Sequence, residues 1–295
     1  MKMRHLEVIH AVVVHGGVVA AADALHVTQP AISRMIQTAE AELGLKLFEK
    51  IGRRLAPTED AERLFEEIDP IIASFHSVQE RIIDLREGRL GVLRIVATPG
   101  LAHSIIPATL EKMLRDRPAM KATLDIRRRE NVLQMLRANA ADLGFGLLPT
   151  DAPDIVSTPV GSGRIICVSP SDHPLAQKRS VRPEDFTDHR LIMLTRGSPL
   201  EQLIAPAFDA VGQPLDWAVE TPYSASACNL VTAGFGVALV DSYVTQQIEL
   251  SDLVIIPFEP ALTVNAYVYR ARHKPMSKLA TLCISALDSG PRKSD

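Results

Sequence analysis

A group of polar side chains between residues 27 and 50 has the types and spacing needed to hydrogen-bond nucleic acid. In the stretch VTQPAISRMIQTAEAELGLKLFEK, a helical turn of about 100° per residue places on one face Gln29, Pro30, Ser33, Arg34 and Gln37. Amide, hydroxyl and guanidinium groups hydrogen-bond base edges and phosphates. An ordinary solvent-facing helix more often carries several Lys and Glu. The pattern therefore predicts a helix that enters the DNA major groove, with Thr28 as its cap and Pro30 in its first turn.

Two adjacent cations, Arg53 and Arg54, follow this helix. They lie in a predicted turn over residues 51–55, after Leu45 and Phe48, which we expect to be core anchors. In a hairpin at this position, cations are favoured along the phosphate backbone or in the minor groove. Both arginines are therefore candidates for DNA contact, and a solvated basic turn is the alternative.

Short apolar helices must position the polar face. The opposite side of the same helix is apolar and consists of Ile32, Met35, Ile36, Ala39 and Leu43. Upstream, apolar residues spaced 3 and 4 apart from Leu6 onward predict a first core-facing helix, and Gly16 and Gly17 then break the chain. Residues 20–25 predict a second helix with little side-chain bulk. This order predicts a helix-turn-helix over residues 17–37. The alternative, a plain alanine-rich hairpin, does not explain the selective polar face.

A regular apolar seam runs through residues 58–87. Steps of 4 and 3 alternate along Leu64, Ile68, Ile71, Phe75, Val78, Ile82 and Leu85. This is the pattern of a coiled coil, in a helix about 45 Å long. Because one helix cannot bury so narrow a seam on itself, a second copy of the chain is the predicted partner. Packing of the helix on its own domain is the alternative. Pro70 predicts a kink.

Residues 6–61 resemble the N-terminal domain of LysR-type transcriptional regulators. The resemblance rests on VVAAADALHVTQPAISRMI, AELGLKLFEK and RRLAPTEDA. It implies a winged helix-turn-helix DNA-binding domain over residues 1–60 and a linker or dimerisation helix over residues 61–88. It also implies binding to double-stranded DNA at an inverted-repeat operator as a homodimer or homotetramer, with RNA polymerase as a candidate partner. The sequence departs from the family at Gly17 and Val19, where a hydroxyl residue is usual.

The C-terminal part of the chain alternates short apolar runs with amphipathic helices, which predicts α/β units with largely parallel strands. The stretches GVLRIVATPG, ADLGFG, SDHPLA and VTAGFGVALV resemble the effector domain of the same family. The resemblance implies the two-lobed fold of type 2 periplasmic binding proteins. Lobe 1 is expected over residues 91–162 and 263–290, and lobe 2 over residues 163–262. The predicted fold class is therefore α/β, with an N-terminal all-α winged helix-turn-helix and a long linker helix.

Candidate effector contacts lie where predicted strands end and helices begin, because ligands of open α/β sheets bind at these places. They are Thr98, Pro99, His103, Arg129, Thr195, Ser198 and Ser226. Free N–H groups and hydroxyls there favour a small, carboxylate-bearing effector. Simple helix capping is the alternative for the hydroxyls, and a solvated strand end is the alternative for Arg129. Strand parity does not distinguish Arg129 from Arg127 and Arg128.

Composition limits the remaining functions. A net charge of −3 is unlike that of a protein that coats polyanions, so DNA contact should be local. Three cysteines that are far apart in sequence fit a reduced, cytoplasmic chain, and Cys228 is expected to be a buried structural thiol rather than a redox switch. His5, His10 and His15 recur every fifth residue and point around a helix, so neither a metal site nor a cofactor is expected.

Two other classes of protein fit the sequence less well. No nucleophile–base motif, metal spacing or phosphate-binding glycine loop supports an enzyme. A secreted or periplasmic solute-binding protein is the alternative function, since Lys2, Arg4 and a small-residue run at residues 20–22 superficially resemble a secretory signal. Glu7 and His10 interrupt the apolar stretch of that signal, and no run approaches the length of a transmembrane helix. The sequence therefore favours the DNA-binding regulator.

Overall fold

The computed structural model describes residues 2–51, 54–87, 91–246 and 251–288 of the 295-residue chain. The chain divides into two compact units. The first consists of Met1–Arg89 with Arg137–Ala141, and the second of Leu90–Leu136 with Asp142–Asp295.

The first unit combines helices with one hairpin. Its helices are α1 (Met3–Val14), α2 (Val18–Ala24), α3 (Gln29–Leu43) and α4 (Glu59–Glu87), and its strands are β1 (Phe48–Ile51) and β2 (Arg54–Pro57). The strands pair antiparallel, from Phe48 opposite Pro57 to Ile51 opposite Arg54. The predicted helix-turn-helix corresponds to α2 and α3, and the predicted basic turn to the β1–β2 hairpin. Pro30 lies in the first turn of α3 as expected, but Thr28 makes no side-chain capping bond.

The core of this unit is built from the apolar faces that the helical period predicts. Val8, Ile9 and Val12 of α1 pack with residues of α2 and with Ile32 and Ile36 of α3. These side chains are almost completely buried. The polar face of α3 is therefore turned away from the core of its own unit.

One predicted anchor is wrong. Leu45 is 47% exposed, whereas Leu47 is completely buried and packs beside Phe48. The reason is Gly44, which ends α3 in the left-handed conformation with φ 69°. This turn reverses the chain, so that the helical spacing no longer determines which following residue faces the core.

The carboxylate of Glu40 fixes the connection from α3 to β1. It accepts hydrogen bonds from the backbone N–H groups of Leu47 at 2.9 Å and Phe48 at 3.2 Å, and from Lys46 Nζ at 3.0 Å. Burial by itself raises the pKa of Glu40, but these hydrogen bonds outweigh it and the pKa is lowered. One side chain thus ties the end of the polar-faced helix to the start of the hairpin.

The apolar seam of α4 has two different environments. Near its beginning, Ile68 is buried in the core of its own unit together with Ile72, and Leu64 packs against that core. The expectation that Ile68 faces a second copy is therefore wrong, because α1 already covers it. His10 of α1 contacts Asp69 at 2.9 Å and stacks on Phe65 of α4. Further along, Ile71, Phe75, Val78 and Ile82 are 36–51% exposed.

Two predictions about α4, the role of Leu85 in the seam and the kink at Pro70, stay predictions. The side chain of Leu85 lies outside the described residues. The helix continues through Pro70, which is buried inside it. The predicted kink at Pro70 stays a prediction.

The second unit alternates strands and helices. Its strands are β3 (Val92–Ala97), β4 (Lys121–Ile126), β5 (Leu143–Leu147), β6 (Ile155–Pro170), β7 (Leu191–Leu194), β8 (Val219–Thr221), β9 (Val237–Asp241), β10 (Leu253–Pro257) and β11 (Thr263–Ala271). Its α-helices are α5 (Pro99–Ala102), α6 (Ile105–Asp116), α7 (Arg129–Arg137), α8 (Pro199–Asp209), α9 (Ser224–Thr232) and α10 (Lys278–Asp288). Short 3-10 helices occur at Pro174–Gln177, Pro183–Phe186 and Ser242–Gln246.

These strands form one sheet in the order β4-β3-β5-β11-β6-β9-β7-β8, and β10 also pairs with β6. The outer strands on each side pair parallel, whereas β6 and β11 run antiparallel to their neighbours. The long strand β6 pairs with β11 as far as Arg164, and from Ile165 it pairs with β9. This exchange of partners supports the proposed division into lobe 1 and lobe 2 near residues 162 and 263.

The first testable prediction concerns Glu40. Glu40→Ala leaves two buried N–H groups without their acceptor, which costs about 1–3 kcal/mol. Hydrogen exchange of peptides from α3 and β1 should show a loss of protection of that size. Because the folded-state pKa of Glu40 is lowered, its contribution is complete above its ordinary value of 4.5 and disappears as the pH falls through the lowered value.

Glu49→Ala is the matched control, because Glu49 is exposed on β1 and its substitution removes the same charge. Equal loss of protection in the two variants would mean that the charge, and not the acceptor for Leu47 and Phe48, carries the effect.

Candidate functional site

The candidate DNA-contact face lies along α3. Gln29, Pro30, Arg34 and Gln37 are exposed and Ser33 is half-buried, while Ile32 and Ile36 on the other side are buried. The structure therefore brings the five predicted residues together on one accessible surface. Thr38 lies beside them and lines a shallow groove with Arg34 and Gln37, although its hydroxyl donates back to the Arg34 carbonyl at 2.9 Å.

The second part of the candidate DNA surface is only partly described. The hairpin β1–β2 is present, and Arg54 begins β2. Arg53 and the side chain of Arg54 lie outside the described residues. Their contact with phosphates stays a prediction.

Thr98 is the first candidate effector contact, at the carboxyl end of β3. Its N–H donates to the Phe145 carbonyl at 2.9 Å, which fixes it beside the end of β5. The Thr98 hydroxyl is buried and has no hydrogen-bond partner among the described residues, and it does not cap α5. Pro99 is the first residue of α5. His103 was expected to open a helix, but it is exposed and ends α5 instead.

Arg129 is the arginine that turns toward this strand end. It begins α7, and its guanidinium donates to the Pro149 carbonyl just after β5. Its Nε atom is buried without a hydrogen-bond partner among the described residues. By contrast, Arg127 lies 3.6 Å from Asp125 and Arg128 is exposed. The structure thus distinguishes three arginines that the sequence could not.

Tyr269 of β11 lies beside Arg129 and contacts the segment after β5. The sequence did not indicate this residue. Its hydroxyl donates to the Leu148 carbonyl at 2.5 Å. Burial raises the pKa of Tyr269, while the adjacent Arg129 acts in the opposite direction. Leu148 has φ 65°, a left-handed conformation that is unusual for a leucine and occurs often at functional sites. No period in the sequence indicates that Arg129, Leu148 and Tyr269 lie together, since they come from three separate segments.

The lobe 2 candidates have different surroundings. The Ser198 hydroxyl accepts from the Glu201 N–H at 3.2 Å, and the Glu201 carboxylate accepts from the Gly197 N–H at 3.0 Å. Ser198 is therefore a helix cap, as its alternative interpretation held. The sequence does carry this signal, because Ser followed three residues later by Glu is a capping pattern. Thr195 is half-buried, and its N–H donates to the Thr221 carbonyl at 3.1 Å.

Ser226 lies in the first turn of α9 and not before it. The neighbouring Ser224 donates its hydroxyl to the buried carboxylate of Asp241 at 2.6 Å. Burial raises the pKa of Asp241, against the opposing effect of the hydrogen bonds from Ser224 and from the Tyr243 N–H. The sequence did not single out Asp241.

Comparison with known proteins decides the family. Residues 3–62 match the family model described as bacterial regulatory helix-turn-helix protein, lysR family, and residues 86–290 match the LysR substrate binding domain. The chain belongs to the LysR family of transcriptional regulators. It is a DNA-binding regulator with an effector-binding domain, and the predicted family and fold class are confirmed.

Relatives and solved structures agree with this assignment. The regulator is 30% identical to the regulatory protein NocR of Agrobacterium fabrum (strain C58 / ATCC 33970), over 97% of this chain and 96% of that protein. It is 31% identical to the transcriptional activator protein LysR of Escherichia coli (strain K12), over 98% and 93%. The structure of CbnR, a LysR family transcriptional regulator, has a TM-score of 0.74 and 21% identity, covering 97% of this chain and 98% of CbnR.

The alternative of a secreted solute-binding protein is not favoured. The helix-turn-helix match includes the N-terminal segment that such a protein would lose on cleavage of a secretory signal. In the part of the chain that the structure describes, no helix is long and apolar enough to cross a membrane. The relatives named above are regulators and not enzymes.

The cysteines of the regulator are buried. Burial raises the pKa of Cys228 and of Cys283 to about 12, and it also raises the pKa of Cys167. Because the thiolate is the reactive form, these thiols are poorly suited to oxidation chemistry. This supports the interpretation of Cys228 as a structural thiol.

The second prediction tests the DNA-contact face. Loss of a bidentate base contact costs about 1–3 kcal/mol, so Arg34→Ala should weaken binding of the regulator to its selected DNA by about 5- to 150-fold. The measurement is fluorescence anisotropy with a duplex that the wild-type protein has enriched from a random pool.

Arg63→Ala is the control, since Arg63 is exposed on α4 and pairs with Glu59 in the same unit. It removes the same charge and should change the affinity little. Equal losses in both variants would contradict the assignment of α3 as the recognition helix.

Proposed function

We propose that this regulator binds an inverted-repeat operator as a homodimer or homotetramer, through Gln29, Pro30, Ser33, Arg34 and Gln37 of α3 together with Arg53 and Arg54. The exposed, sparsely charged face of α3 supports this, because its groups match those that read base edges. The chain shares its fold with CbnR, which has also been solved at full length in complex with its target DNA. The TM-score between this chain and CbnR in that complex is 0.71.

The exposed part of the α4 seam supports the homodimer. Ile71, Phe75, Val78 and Ile82 follow the 4 and 3 spacing of a coiled coil and are accessible in the single chain. Full burial of an exposed apolar side chain stabilises by about 1.5–3 kcal/mol, and roughly half of that burial is still available to each of these side chains. Four of them on each of two helices favour a second copy of α4 as the partner.

The third prediction tests this seam. Val78→Asp places a charge inside the proposed interface, where burial without a partner is strongly unfavourable. The variant should sediment as a monomer, or aggregate, in analytical ultracentrifugation. His76→Asp adds a carboxylate two residues away on the exposed flank of α4 and should leave the wild-type assembly unchanged. A monomeric wild-type protein at micromolar concentration would contradict the proposal at once.

We also propose that the effector is a small carboxylate held mainly by lobe 1. The observation that carries this is the pair of buried atoms without partners, Thr98 Oγ1 and Arg129 Nε, at the carboxyl edge of one set of parallel strands. Buried polar atoms without partners are costly, so their presence favours a ligand that supplies the missing acceptor. A carboxylate accepts from both a hydroxyl and a guanidinium.

Lobe 2 is less suited than lobe 1 to bind the negatively charged carboxylate of the effector. The N-terminus of α8 is already occupied by the Glu201 carboxylate, and the N-terminus of α9 lies beside Asp241. Each of these carboxylates competes with an incoming anion. Thr195 and Ser226 then remain as contacts for neutral parts of the effector, with Pro99 beside Thr98.

The fourth prediction separates a ligand role of Thr98 from a structural one. Thr98→Val removes an unsatisfied hydroxyl without changing the volume much, so the melting temperature of the free protein should stay equal or rise. The additional stabilisation produced by a small organic acid that protects the wild type should fall by about 1–3 kcal/mol. A thermal-shift screen with acetate-, succinate- and benzoate-type acids measures both quantities.

Thr123→Val makes the same substitution on an exposed position of β4 and should leave the response to the acid intact. An unchanged acid response in Thr98→Val would show that Thr98 is not an effector contact.

We further propose that the regulator acts in the cytoplasm, where its operator DNA is, and that RNA polymerase is a candidate partner. We expect no metal or other cofactor to take part.

A further inference from the structure

A cavity of about 420 Å³ lies at the amino-terminal edge of β7 and β8, the opposite end of these strands from Thr195. Its volume is within the range of small-molecule sites, about 300–1,000 Å³. The floor is apolar, with the buried side chains of Phe186, Leu191 and Phe208, and Trp217 forms part of the wall. The Ala218 N–H donates to the Leu191 carbonyl at 2.9 Å, which joins two segments of the lining. None of the proposed effector contacts lines this cavity.

The walls of this cavity carry charges of both signs. Asp188 and Arg190 come from the segment before β7, and Asp216 comes from the segment before β8. All three residues are exposed, and none of them forms a salt bridge with another of the described residues. Asp216 also accepts a hydrogen bond from the backbone N–H of Trp217 at 2.9 Å.

We propose that this cavity binds a free α-amino acid with an apolar side chain. The ammonium group would be held by Asp188 and Asp216, and the carboxylate by Arg190. The apolar side chain would lie on Phe186, Phe208 and Trp217. A ligand with both charges satisfies both signs on the wall at once, which neither a simple amine nor a simple acid does.

Two other ligand classes fit less well for physical reasons. A monocarboxylate would gain Arg190 but would also face two carboxylates. A purely apolar molecule would fill the floor but would displace water from three charged groups without replacing their hydrogen bonds. The proposed amino acid avoids both costs.

Trp217 provides a direct reporter of this site. It is the single tryptophan of the sequence, and the Arg196 guanidinium lies 4.4 Å from the centre of its ring. Tryptophan emission of the whole protein therefore comes from the wall of the cavity. Arg196 follows β7 and lies close in sequence to Ser198, so the ring also contacts the loop at the other end of β7.

The experiment is a titration of the full-length protein with L-phenylalanine, with excitation at wavelengths that only tryptophan absorbs. We expect a saturable change in emission, and isothermal titration calorimetry should give the same affinity. Phenethylamine and phenylpropionate each lack one charge and should bind about tenfold more weakly or worse, which corresponds to about 1.4 kcal/mol. Equal affinity for all three compounds would overturn the proposal.

Variants locate the binding. Asp188→Asn and Arg190→Gln should each reduce the affinity about tenfold or more. Asp209→Asn should not, because Asp209 is exposed on α8 and does not line the cavity.

The control Thr98→Val separates this site from the proposed effector site and should leave phenylalanine binding unchanged. Binding that depends on Thr98 but not on Asp188 would assign the ligand to the effector site and overturn the second site. Absence of both signals at about 10 mM phenylalanine, where a site with a Kd of about 1 mM is mostly filled, would overturn it as well.

Discussion

The hydrogen bonds accepted by Glu40 are the constraint on which the DNA-facing surface of this regulator depends. The proposed recognition face belongs to α3, while Arg54, a predicted phosphate contact, begins the second strand of the hairpin that follows. These two parts can contact one DNA duplex only if their offset is constant. Gly44 permits the sharp reversal between them, and the Glu40 carboxylate fixes it by binding the N–H groups of Leu47 and Phe48. A buried carboxylate with several donors is a rigid connection, because each donor left unsatisfied is costly.

In the second unit, a chain of hydrogen bonds links the start of α9 to the strands that pass between the lobes. Ser224 donates to Asp241, and Asp241 accepts from the Tyr243 N–H at 3.1 Å. The Tyr243 hydroxyl in turn accepts from the Ala266 N–H at 3.1 Å, where the register of β11 against β6 shifts. The irregularity in β11 leaves this N–H available to a side chain. These hydrogen bonds connect α9 to β11 through Asp241 and Tyr243.

The sequence predicted those features that depend on a local period. The polar face of α3 and its apolar opposite side follow from the helical repeat alone, and the structure reproduces both. The prediction that Leu45 is buried was wrong because the left-handed Gly44 reverses the chain before it. The helical period contains no information about the direction that the chain takes after such a turn. The prediction that Ile68 faces a second copy was wrong because the apolar seam of α4 has the same spacing whether it packs on α1 or on another chain. The selection of Arg129 required tertiary contacts with Pro149 and Tyr269, which lie far from it in sequence.

Electrostatics also separates the two lobes as places for an anionic effector. Two unit charges about 4 Å apart repel by about 4 kcal/mol at an effective dielectric constant of 20. A carboxylate at the start of α9 would meet this penalty from an ionised Asp241, unless that residue took up a proton. Burial already raises the pKa of Asp241, so binding there would be coupled to protonation and would weaken as the pH rises. At the proposed contacts Thr98 and Arg129, an incoming carboxylate would meet a hydroxyl and a guanidinium group. Binding in lobe 1 therefore requires no proton uptake, which is the physical reason to place the anionic end of the effector there.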